Sequence, residues 1–164
     1  MRVAACVAAL ALATSCASAQ DLDPAFGDGG FVLAPRAVAP GSSSIPPGAI
    51  APAPGGGYWW AMRAGTQLAL GRVTGAGAPD ATFGGGSGRI TFGDCVGNGT
   101  LDLLATPSGG VVLWTGRCLQ RRDADGALDG AFGTNVGDLE ISRLRRDPQG
   151  RYVLAGSAAN TWHV

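Results

Sequence analysis

The stretch Asp123-Ala124-Asp125-Gly126-Ala127-Leu128-Asp129 sets two carboxylates at alternating positions before a glycine and a third after it. Calcium loops use such spacing because a hard cation needs several oxygen ligands converging on a tight turn. Arg121 stands where a further acidic ligand would sit, and the matching stretch Thr74 to Asp80 lacks the earlier carboxylates. Asp123, Asp125 and Asp129 are therefore a weak metal candidate set against a plain solvated turn. Other chemistry is sparser still. Gly85-Gly86-Ser87-Gly88 misses a nucleophile elbow, because Arg89 takes the last glycine's place. The single histidine, His163, stands one residue from the end, a poor place for a general base. Zinc sites built from several His or Cys ligands are excluded by the count, and no phosphate or dinucleotide loop occurs. No cofactor and no catalytic residue is expected. Tyr58-Trp59-Trp60 offers a sugar-stacking surface, but Trp59 and Trp60 align with Val112-Leu113 and Val153-Leu154, which reads as strand core; Trp114 and Trp162 are read likewise.

The elements that hold these residues come from a pattern. Asp-x-x-Phe-Gly occurs three times, with Asp23, Phe26 and Gly27, then Asp80, Phe83 and Gly84, then Asp129, Phe132 and Gly133. The phenylalanines stand 57 and 49 residues apart, the spacing of stacked arrays such as propeller blades. A Pro-x-Gly turn leading into an apolar run also recurs, at Pro54, Pro107 and Pro148, and Leu70-Gly71-Arg72 and Leu119-Gln120-Arg121 each begin ten residues before a box aspartate. The aspartate is expected to accept backbone N–H bonds and fix a turn, the glycine to permit its conformation and the phenylalanine to anchor it. The apolar runs are short and bounded by Gly or Pro, as strands are. Unit two reads as strands over Arg89 to Phe92, Thr100 to Ala105, Val111 to Thr115 and Cys118 to Arg122, with a weak strand at Ala49 to Ala53 in unit one. The expected fold is all-β: tandem four-stranded blades in a partial β-propeller of about three blades, over units 22–79, 80–128 and 129–164.

These elements together resemble the delta-60 repeat of large bacterial exported proteins, which is similar in pattern to propeller blades. The resemblance covers nearly all of the chain after residue 20, although Gly77-Ala78-Pro79-Asp80 departs from the preferred Gly-x-Leu-Asp seen at Gly126 to Asp129. It implies a repeat architecture and brings no activity.

Arg2, an apolar stretch from Val3 to Ala13 and Ala17-Ser18-Ala19 before Gln20 read as a secretory signal over residues 1–19, cleaved between Ala19 and Gln20. Acylation of Cys16 as a lipoprotein is the alternative. No stretch reaches the roughly 20 apolar residues of a membrane helix. Cleavage leaves 145 residues. Unit three is expected to stay incomplete at Trp162-His163-Val164, leaving Tyr152 and Leu154 at an unfilled edge through which chains could self-associate. In an exported protein, Cys95 and Cys118 are expected to form a disulfide. Residues 35–54 hold six of the ten prolines and read as a loop insertion.

Twelve Arg, no Lys, eleven Asp and one Glu give no net charge, so nucleic-acid binding is not expected. Arg121, Arg122, Arg143, Arg145, Arg146 and Arg151 read as solvated strand-edge charges or as a patch for an anionic glycan. The functional expectation is a secreted or periplasmic, non-enzymatic scaffold that binds a protein or glycan partner. Alternatives are a fragment of a propeller enzyme acting on glycans, and a truncated product without independent function.

Overall fold

The computed structural model describes residues 23–28, 32, 48–94, 96–97, 99–116, 118–132, 134–135, 140–158 and 161–163. The signal segment 1–19, its Ala19–Gln20 junction, Cys16, Cys95 and Gly133 lie outside the described residues. The fold is all-β. The first sheet holds β1 (Ala49–Pro52), β2 (Tyr58–Ala64), β3 (Gln67–Val73) and β4 (Arg89–Phe92). The second holds β5 (Asp102–Ala105), β6 (Val111–Trp114), β7 (Cys118–Arg122) and β8 (Thr134–Asn135), and the third β9 (Glu140–Arg146), β10 (Tyr152–Ala158) and β11 (Thr161–His163). Every pairing is antiparallel between strands consecutive in sequence, and no sheet closes into a barrel.

Recurring residues build recurring turns. After each first strand the Pro-x-Gly segment closes with the same two backbone bonds. Ala53 N–H donates to Gly57 O and Gly56 N–H to Ala53 O; Thr106–Gly110 with Gly109, and Asp147–Arg151 with Gly150, repeat them at 2.9–3.0 Å. The glycine of each Pro-x-Gly turn, Gly56, Gly109 or Gly150, has φ of 98°, 88° or 84°, the left-handed region that side-chain-bearing residues rarely adopt.

Alternation along the second strands assigns two faces. Trp59 and Ala61 point forward and share one buried cluster with Leu68, Leu70, Phe83, Val111 and Leu113, so the front of the first sheet lies on the back of the second. Val112, from the front of β6, clusters with Leu119 and Leu144 beside Phe132, Tyr152 and Leu154, so the front of the second lies on the back of the third. The first strands follow the same succession, β1 against β5 and β5 against β9.

Three expectations are corrected. Arg89–Phe92 is a strand, but it pairs with β3 (Leu70 opposite Ile90) and completes the first sheet, not the second. Sheets therefore span 49–92, 102–135 and 140–163, and each complete one encloses its box instead of beginning at it. Thr161–His163 supplies the strand expected to be missing after β10, with Ser157 opposite Trp162, while among the described residues the last sheet still has three strands against four in each of the others. Tyr152 and Leu154 accordingly face the second sheet and not an unfilled edge.

Candidate functional site

The box aspartates share one hydrogen-bonding pattern. Oδ1 of Asp23, Asp80 and Asp129 accepts the N–H two residues on, from Ala25, Thr82 and Ala131, at 2.9, 2.9 and 3.0 Å. In each box the phenylalanine N–H then donates to the aspartate carbonyl at 3.0–3.1 Å, turning the ring inward. This is the turn expected from an Asx residue. The arginine of Leu-x-Arg adds a second restraint. Arg72 Nε donates to Asp80 Oδ2 at 2.6 Å, and Arg121 Nε to Asp129 Oδ2 at 2.8 Å, with its Nη2 on the same oxygen. The same arginines lie over aromatic rings, Arg72 5.3 Å from the Trp59 centroid and Arg121 4.6 Å from that of Phe132. The clamp thus ties the third strand, the turn and the inter-sheet aromatic into one unit.

Electrostatics follow from that geometry. Bonds from the Thr82 hydroxyl and N–H, helped by Arg72, hold Asp80 down from 3.8 to about 2. Asp129 is lowered by its bond to Arg121 and then by the Ala131 N–H. A carboxylate so committed holds no proton near neutral pH and is a weak base, which suits a structural joint and not acid–base work.

The three candidate metal ligands are not brought together. Asp123 Oδ1 accepts the N–H groups of Asp125 and Ala127 at 3.0 and 2.9 Å, while Asp129 is turned to Arg121. Among the described residues no three His, Cys, Asp or Glu side chains group as metal ligands do. Cys118 opens β7 and is buried. Phe83 and Phe132 lie at inter-sheet contacts and Phe26 packs on the back of the first sheet: Phe26 meets Tyr58 edge-on at 5.6 Å, Phe83 meets Trp59 at 4.9 Å and Phe132 meets Tyr152 at 5.5 Å.

Of the aromatic triplet, Trp59 is fully buried, as a core residue should be, whereas Trp60 is half-buried. Trp60 lines an apolar cavity of about 360 Å3 with Phe26, Val32, Ile50 and Met62 on the back of the first sheet. A more polar cavity of about 440 Å3 lies between the second and third sheets, lined by Thr100, Trp114, Glu140, Ser142 and Ser157.

Two arrangements escape a reading of the sequence. Arg122, grouped there with exposed edge charges, is buried: it stacks 3.6 Å from the Phe92 centroid and pairs with Asp94 at 2.9 Å. Arg63 spans from the first sheet to the carbonyls of Gly97, Gly99 and Thr115. Their signals lie in neighbouring sheets and are not local. The clamp did leave a signal, an arginine eight residues before the aspartate in both cases. Among known proteins no family model, curated protein or solved structure matches the chain.

Proposed function

We propose that this chain is an exported, non-enzymatic repeat protein of β-propeller-like build, a scaffold that binds a protein or glycan partner through its loops at the cell surface or in the periplasm. The observation that carries the reading is the stacking: Phe83 and Phe132 sit at the junctions between successive sheets, Phe26 packs in the same way on Tyr58 of the first sheet, and β1, β5 and β9 succeed one another. Propeller blades are four-stranded antiparallel sheets set around a channel, and repeat proteins bury each unit against its neighbours only. The box that resembles the delta-60 repeat supports the same reading, and so does the signal-like start. The clamped state of Asp80 and Asp129 favours a structural role over hydrolysis.

The test is binding and turnover measured together. Purified chain incubated with bacterial envelopes and with a panel of glycans is expected to be retained saturably and to leave the glycans intact. Turnover lost in Asp80→Asn or Asp129→Asn, with the sheets preserved by circular dichroism, would make it an enzyme. Retention on neither material would remove the scaffold reading.

A further inference from the structure

Among the described residues, the back of the first sheet and the front of the third are the outermost faces of the stack, and they are the same two kinds of face that meet between successive sheets. Inside, Val111 and Leu113 on the back of β6 are 0% and 1% exposed beneath the first sheet. Their counterparts on β2, four and six residues after the turn proline, are Tyr58 and Trp60. Tyr58 is 38% exposed, and Trp60 borders the apolar cavity with Met62. Ile50, opposite Trp60 on β1, is 68% exposed, the most open of the large apolar side chains among the described residues. Among the described residues ahead of β1, Phe26 and Val32 are those that reach this face. At the other end, Val153 and Ala155 occupy the places of Val112 and Trp114 and remain half-buried, whereas Val112 and Trp114 are closed over by the third sheet.

We propose that two copies of this chain associate head to tail, the third sheet of one seating its front face on the back of the first sheet of the other. The argument is continuity with an interface the chain already makes twice. The front of a sheet is shaped for the back of the next, and the two open faces are of those two opposite kinds. It rests on the stacked-sheet reading above and adds the occupant. Such a contact joins two different patches, so it either closes into a ring or propagates. Covering Ile50, Trp60 and Met62 removes apolar area from water and supplies the driving force.

Light scattering on size-exclusion chromatography of the full chain, with Ile50→Asp and Val153→Asp, tests it. Wild type is expected to run as a dimer or larger at micromolar concentration, and each variant as a folded monomer. Mixing the two variants is expected to restore a one-to-one complex, because one keeps a good front and the other a good back. If Val153→Asp loses its sheet signal by circular dichroism, Val153→Thr takes its place, with the same pattern expected. A monomeric wild type overturns the proposal. So does a dimer lost in Ile50→Asp but kept in the Val153 variant, which would mean back-to-back pairing. Envelope retention by monomeric variants would leave the scaffold reading standing, so the two fail separately.

Discussion

A carboxylate pinned by an arginine, a hydroxyl and a backbone N–H makes a joint that acid can open. Asp80 titrates at about 2 in the folded chain against 3.8 ordinarily, so the folded state binds its proton later than the unfolded one does. The stabilisation is therefore complete above 3.8 and is lost as pH falls from there through about 2. Thermal unfolding followed from neutral pH into this window should show a steeper fall in Tm for wild type than for Asp80→Asn. Parallel curves would show that the clamp is not what holds the turn. Gly126 carries a second residue-scale expectation. It has φ of +93°, and a Cβ there would stand 2.7 Å from Ile90 Cδ1 and 3.0 Å from Phe83 Cε2, across the gap between sheets. Gly126→Ala should cost about 1–3 kcal/mol through overpacking on top of backbone strain. Gly85→Ala serves as the control, since it has φ of +66° but open space around it and suffers the strain alone. Equal denaturant midpoints for the two variants would refute the tight inter-sheet approach.

Each complete sheet is a meander whose third strand leaves for the box and whose fourth returns to it. The box is thus a detour within a sheet that presents a ring to a neighbour. Phe83 is fully buried, while Phe26 is half-buried, so Phe83→Ala should lose about 3–5 kcal/mol and Phe26→Ala clearly less, measured by chemical denaturation. Comparable losses would contradict the difference in burial. Strand positions were legible in the sequence because glycines and prolines bound each run: Arg89–Phe92 and Cys118–Arg122 coincide with their sequence readings, and the Asx turns follow from local chemistry alone. Membership was not legible. A motif that recurs looks like the start of a unit, and nothing in Arg89–Phe92 itself says that its hydrogen bonds run back to β3. Arg122 was hidden for a related reason, since its cover, Phe92 and Asp94, comes from the first sheet and its connection onward. Trp60 failed as a core residue because the sheet that buries Leu113 has, among the described residues, Phe26 and Val32 as its counterpart there.

At the scale of the molecule, export and oxidation make linked expectations. The exported product should have the mass of residues 20–164, and non-reducing peptide mapping should recover Cys95 joined to Cys118. Closing a loop of that length contributes about 3 kcal/mol, so reduction should lower the unfolding midpoint accordingly. Freely alkylatable thiols at both positions in the native, unreduced protein, or a diacylglycerol mass on Cys16, would overturn these readings. The sheets also follow one another along the chain without interleaving, every strand pairing with its sequence neighbour. Such a chain can acquire structure in the order in which it is made. The hydrogen bonds of the first sheet can form once Phe92 has been synthesised, yet the cluster around Phe83 closes only when Val111 and Leu113 arrive. The growing chain therefore always carries one finished sheet with an unsatisfied front, a sticky leading surface that each following segment of about 50 residues covers before exposing its own.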